Sequence, residues 1–127
     1  MQPPHVYELN LRDRPEDVRA ARMFFRDVAR ELQLAEDQTQ AGELALSELV
    51  TNAIVHAGGA ITVRAWRQNQ GLHLEVIDGD AQTPRMAKPN PEGFDAGGLP
   101  IVAAVAQEWG WDEGPNGRGK RVWLTLT

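Results

Sequence analysis

Residues 47–57, with the sequence SELVTNAIVHA, constrain the fold more than any other part of the chain. Apolar residues recur there at helical spacing and form one broad face, made of Leu46, Leu49, Val50, Ala53 and Ala57. Glu48, Asn52 and His56 are four residues apart, so they form a polar stripe on the opposite face. Burying an unpaired polar group costs roughly 2–7 kcal/mol, so an acid and an amide on this helix need partners. Two interpretations follow: a stripe that faces water, or a site where Asn52 holds a metal ion and Glu48 acts as a base.

The composition limits the class of protein. The chain has 127 residues, of which 42% are hydrophobic and 24% charged, as is typical of one globular domain. A net charge of −5 argues against a nucleic-acid partner, which requires a basic patch. The sequence lacks both a signal peptide and an apolar run of about 20 residues, so we expect a cytoplasmic protein with no membrane partner. The absence of cysteine excludes disulfides and a catalytic thiol.

Hydrophobic periodicity predicts three helices and five strands. The predicted strands cover residues 6–11, 61–66, 72–78, 109–111 and 121–126. The predicted helices are the one above, which ends at the Gly58–Gly59 pair, another from about 15 to 32, and a third over 101–108. The first helix should begin near Asp13 or Arg14, with Pro15 in its first turn.

Residues 79–97 contain three prolines and show little periodicity. Loops longer than about 12–15 residues are uncommon in compact domains and are often lids or binding loops, so we interpret this segment as a lid. Consecutive strands that pair as hairpins give a largely antiparallel or mixed sheet. We therefore expect residues 1–127 to form one domain, a two-layer α/β (α+β) sandwich with three helices on one face.

Three motifs together suggest a family. They are the helix motif over 48–57, the strand end EVIDG over 75–79, and GGL over 97–99 at the start of a helix. Taken together they resemble the N, G1 and G2 boxes of the GHKL ATPase superfamily, which has the Bergerat nucleotide-binding fold. The segments SELVTNAIVHA, GGLPIVAAVAQEWGW and GKRVWLTL look like those of small anti-sigma-factor serine kinases and short actinobacterial ATP-binding regulators.

The resemblance implies a site for ATP and Mg²⁺. Asn52 would supply an oxygen ligand to Mg²⁺, which prefers hard oxygen donors, and Glu48 would deprotonate the attacking hydroxyl or water. Asp78 would accept a hydrogen bond from the adenine amino group. The nucleotide-binding residues that the resemblance implies are Asn52, Asp78, Gly79, Gly97, Gly98 and Leu99. The alternative role of Asp78 is an acid that simply ends a strand and begins a turn. Alone, the glycine pair is more often a loop-to-helix joint.

Other polar and aromatic residues receive structural roles. His56 follows Asn52 by one turn, and we expect it to support the site rather than to act in catalysis. Trp109, Trp111 and Trp123 suit half-buried strands, so we expect them to pack in the core and sheet. We expect Lys120 to be a solvated lysine rather than a phosphate contact.

The chain departs from the family pattern at several positions. Asp80 and Gln82 occupy places where the second box usually has glycine, and Ala96 stands at the first glycine of the third box. Lys120 or Arg121 replaces a threonine often found near adenine in the last strand. The first two changes restrict the backbone around the nucleotide, and Asp80 adds a charge that repels phosphate.

Two functions follow from these features. The first is a serine/threonine protein kinase that phosphorylates an anti-anti-sigma (STAS-type) protein and sequesters a sigma factor, and so regulates transcription. The retained Glu48 and Asn52 favour it, because phosphoryl transfer depends mostly on positioning and charge neutralisation. The second is a degenerate GHKL domain that binds a partner protein with or without nucleotide, which the altered glycine boxes favour. A homodimer is compatible with both.

Overall fold

A computed structural model describes residues 4–56, 59–69, 71–78, 102, 104–114 and 119–127. The elements are β1 (Tyr7–Leu11), α1 (Asp17–Leu32), α2 (Glu36–His56), β2 (Ile61–Gln68), β3 (Gly71–Asp78), β4 (Glu108–Glu113) and β5 (Lys120–Leu126). The strands form one sheet in the order β1-β2-β3-β5-β4, and every neighbouring pair is antiparallel. The predicted antiparallel sheet is therefore confirmed.

Alternation along the strands gives the sheet an apolar inner face. Val63 is fully buried and pairs with Val76 across the predicted β2–β3 hairpin, which the register confirms. Successive side chains of a strand point to opposite faces, so the apolar residues of all central strands meet on one side. Fully buried side chains of both helices pack against that face, among them Phe25, Val28, Leu46 and Val50. Within the described part of the chain, no helix is both long and apolar enough to cross a bilayer.

The first helix begins later than predicted. Its N-cap is Glu16, which makes no side-chain capping hydrogen bond, and Asp17 is the first helical residue. The Asp17 carboxylate accepts two hydrogen bonds, from the backbone N–H of Arg12 at 2.8 Å and from Nη2 of Arg14 at 3.3 Å. Asp17 thus closes the loop that leads from β1 into α1, and this contact sets the start of the helix beyond the predicted cap.

The two helices approach closely at Gly42. A Cβ atom at this position would lie 2.2 Å from Cζ of Phe25, whose ring is fully buried between α1 and α2. Glycine usually destabilises a helix interior because it loses the most backbone entropy on folding. The close contact with the Phe25 ring explains why this helix position lacks a side chain.

The predicted third helix and lid fall largely outside the described residues. Val102 is fully buried in the core, and its carbonyl accepts the N–H of Ala106 at 2.9 Å, as in one turn of helix. However, the N–H of Gln107 bonds to the carbonyl of Thr125 at 2.8 Å, and β4 begins at Glu108. The predicted end of this helix at residue 108 is therefore wrong, because the chain has already joined the sheet. The lid over 79–97 lies outside the described residues.

Replacing Gly42 with Ala should destabilise the protein by about 1–3 kcal/mol, because the new methyl group overlaps the Phe25 ring. Alanine at an open helix position would instead stabilise the helix by up to about 1 kcal/mol relative to glycine. Urea unfolding followed by circular dichroism measures the difference. Gln40→Ala, at an exposed position of the same helix, is the control, and a Gly42→Ala protein as stable as wild type would contradict the contact.

The environment of Asp17 predicts a loss of stability in acid. The hydrogen bond from the Arg12 backbone N–H, helped by Arg14, lowers the pKa of the Asp17 carboxyl below its ordinary value of 3.8, although burial opposes this shift. The ionised carboxylate therefore stabilises the fold above the unfolded-state pKa, and this contribution disappears as the pH falls through the lower folded-state pKa.

Asp17→Asn should accordingly lower the urea midpoint most at neutral pH, and the gap from wild type should narrow progressively as the pH falls below 3.8. Midpoints measured across this range test the expectation. Asp13→Asn, at an exposed acid of the same loop, should change the midpoint little. A gap between wild type and Asp17→Asn that does not narrow in acid would rule out the expected linkage.

Candidate functional site

Glu48 and Asn52 lie along the border between the buried and exposed faces of α2. The exposed side of the helix carries Leu44, Thr51 and Val55, and the buried side carries Leu46, Leu49, Val50 and Ala53. Glu48 and Asn52 are both half-buried. Each four-residue step exceeds one turn by about 40°, so Asn52 lies nearer the core than Glu48. This border of the helix can present an acid and an amide beside the core.

Asp78 ends β3 on the inner face of the sheet, the face that the helices cover. It is 2% exposed, and Lys120 Nζ donates a hydrogen bond to its Oδ2 at 2.9 Å. The β3–β5 register places these two residues directly opposite each other, and Ile61 of β2 lies opposite Asp78 on its other side. Since α2 packs against β3 and β5, the helix stripe and this ion pair belong to elements in direct contact.

The expectation of a solvated Lys120 is wrong. Its side chain is only 15% exposed, because alternation along β5 places it on the same face as Val122 and Leu124. The adjacent Arg121 points to the outer face, where its guanidinium makes two hydrogen bonds to Asp112, at 2.9 and 3.0 Å. Hydrogen bonding to Asp112 raises the pKa of the Arg121 guanidinium above its ordinary value. Alternation along the segment KRVWLTL could have predicted that Lys120 and Arg121 point to opposite faces of the sheet.

The outer face of the sheet holds a polar cluster that the sequence analysis missed. Glu75, whose side chain is 3% exposed, lies 3.1 Å from His73 Nε2 and 3.8 Å from Arg64 Nη1. The His73 ring stacks between Trp66 and Trp123, with centroids 4.1 and 5.9 Å away. Trp123 is thus half-buried on the outer face rather than in the core, whereas Trp109 packs against the core as expected. Because Glu75 and Asp78 are three residues apart on one strand, they serve opposite faces of the sheet.

The structure leaves several predicted site residues untested. Gly79, Gly97, Gly98 and Leu99 lie outside the described residues, as do the altered positions Asp80, Gln82 and Ala96. The backbone of His56 ends α2, but its side chain also lies outside the described part. The candidate site is therefore defined by α2, the end of β3 and the start of β5.

Comparison with protein-family models gives a match. The family described as "Histidine kinase-like ATPase domain" matches residues 11–126, almost the whole chain. No curated protein matches the chain. The matched range begins at the last residue of β1 and ends at the last residue of β5, so it includes α2, Asp78 and Lys120.

Lys120→Met should lower the free energy of unfolding by about 3 kcal/mol, because it removes the cationic partner of a buried carboxylate. The matched control is Arg121→Met, which deletes the same charge one residue away but from a pair that is partly exposed. We expect about 1 kcal/mol or less for the control. Urea unfolding of both variants measures the difference. Equal losses of stability would contradict the conclusion that the buried pair of Lys120 matters more than the partly exposed pair of Arg121.

Proposed function

The chain belongs to the histidine kinase-like ATPase domain family, and on that premise we propose that it binds ATP with Mg²⁺ and acts as a serine/threonine protein kinase. One observation carries the proposal: Glu48 and Asn52 lie one turn apart on the half-buried border of α2, the helix that packs against the strand ending at Asp78. The acid and the amide oxygen would position the nucleophile and the metal ion for phosphoryl transfer, and Asp78 would accept a hydrogen bond from the adenine base.

Asn52 is the residue that would hold Mg²⁺. Its amide oxygen is a hard donor, and in the described part of the chain no three His, Asp or Glu side chains cluster to hold a metal ion. Mg²⁺ retains several waters and is often bound by one or two protein oxygens together with substrate phosphates, so a single amide suits it. When bound, the ion neutralises charge on the phosphates.

Glu48 is the general base. It lies on the solvent side of Asn52 along the helix border, where a hydroxyl of another protein can reach it. A carboxylate that accepts the proton of the attacking serine or threonine hydroxyl contributes typically about 10²–10⁴-fold to the rate. Asp78 accepts a hydrogen bond from the adenine amino group at the other end of the nucleotide. The other nucleotide-binding residues would be Gly79, next to Asp78, and Gly97, Gly98 and Leu99, which would bind phosphate.

The physiological role follows from the resemblance to anti-sigma-factor kinases. The kinase phosphorylates an anti-anti-sigma (STAS-type) protein and sequesters a sigma factor, and it works as a monomer or a homodimer in the cytoplasm. The second candidate is a degenerate domain that regulates a partner without phosphoryl transfer. One observation favours this alternative: Lys120, which with Arg121 stands where the family often has a neutral threonine, already donates to Asp78, the acceptor for adenine.

Titration with ATP tests the binding step. The chain has four tryptophans, so we expect a saturable change in intrinsic fluorescence on adding ATP, at lower concentrations with Mg²⁺ than with a chelator. Isothermal calorimetry provides a second readout that does not depend on a tryptophan near the ligand. No saturable signal by either method would contradict the nucleotide site.

Glu48→Gln should reduce phosphoryl transfer by about 10²-fold or more, because the amide cannot accept a proton. ATP affinity should stay within about threefold of wild type, since Glu48 does not hold the nucleotide. Incubation with labelled ATP, Mg²⁺ and candidate serine-bearing STAS domains measures transfer, and calorimetry measures affinity. Glu36→Gln, at the exposed first turn of the same helix, is the control. Equal losses of transfer and affinity would contradict the role of Glu48 as the base.

A further inference from the structure

The ion pair between Lys120 and Asp78 is more buried than the other ion pairs described at the ends of the strands. The Asp78 side chain is 1% exposed and that of Lys120 is 15% exposed, with the ammonium nitrogen 2.9 Å from the carboxylate oxygen. By comparison, Arg121 and Asp112 are 36% and 46% exposed. Both charges of the buried pair are fixed by strand register and lie on the face covered by α2.

We propose that Lys120 is a second residue that recognises adenine, and that its ammonium group donates a hydrogen bond to N1 of the adenine ring. The inference rests on the proposed function, in which Asp78 accepts a hydrogen bond from the amino group of the same base. Lys120 and Asp78 together would then read two neighbouring atoms of one edge of adenine.

The hydrogen-bonding capacity of the pair supports this assignment. An ammonium group has three donors, and a carboxylate has two oxygens that together accept about four hydrogen bonds. The bond between Lys120 and Asp78 therefore leaves donors on the lysine. Adenine presents a donor, its amino group, beside an acceptor, N1, and this order matches an acceptor and a donor 2.9 Å apart.

Charge argues for the base rather than the phosphates as the ligand of Lys120. The carboxylate of Asp78 neutralises the ammonium, so the pair as a whole does not attract a polyanion. A phosphate at Lys120 would also lie beside the negative charge of Asp78. A neutral, planar group with an adjacent donor and acceptor meets neither difficulty. Because the site is shielded from water, hydrogen bonds to the pair are strengthened.

The test compares ATP with 1-deaza-ATP, in which a C–H group replaces N1. Calorimetry on the wild-type protein should show the analogue binding about 10-fold or more weakly, as expected for the loss of a hydrogen bond to a charged group. Lys120→Met, which has no donor, should bind the two nucleotides with affinities within about threefold of each other. Arg121→Gln, which removes a positive charge from the opposite face, should discriminate as well as wild type.

Each outcome decides the proposal. Equal binding of the two nucleotides by the wild-type protein would overturn it, and this comparison needs no variant, so it holds even where Lys120→Met does not fold. Undiminished discrimination by a folded Lys120→Met protein would also overturn it, since another group would then read N1. Failure of ATP itself to bind would overturn the proposed function together with this inference. ATP binding and transfer without discrimination would overturn the inference alone.

Discussion

The packing of α2 on the apolar face of the sheet determines where the polar groups of the site lie. Leu46 and Val50 are fully buried there, so the helix cannot rotate without exposing them. Fixed in this way, α2 holds Glu48 at its solvent border and Asn52 closer to the core. The geometry of the candidate site is thus a consequence of a hydrophobic contact, and the polar residues occupy the positions that this contact leaves at the edge of the interface.

Strand alternation then divides the charged residues between two faces. Asp78 and Lys120 lie on the helix-covered face, whereas Glu75 and Arg121 lie on the outer one. The inner pair is a buried carboxylate and ammonium on the face that carries the apolar core residues. On the outer face, the buried Glu75 contacts His73 of the same strand, whose ring stacks between Trp66 and Trp123 of the neighbouring strands. One sheet therefore keeps two charge networks apart by the direction of its side chains.

The sequence predicted what depends on local periodicity and missed what depends on distant partners. Both long helices and all five strands follow from spacing within a short window, and the structure contains each of them, although α1 begins at Asp17, later than predicted. The burial of Lys120 depends on Asp78, 42 residues earlier in the chain. The third predicted helix was drawn too long because Gln107 bonds to Thr125 in the last strand. The Glu75 cluster combines side chains from three strands, so no single motif contains it.

The two edge strands of the sheet, β1 and β4, bear on how the protein avoids aggregation. An open edge offers unpaired backbone groups to any other chain, and natural proteins often protect such edges with charged side chains. Here β1 carries Glu8, held by Arg64 at 3.0 Å, and β4 carries the exposed acids Glu108, Asp112 and Glu113. Like charges would face each other if two β4 edges met, so self-association by sheet extension at that edge is opposed by electrostatic repulsion.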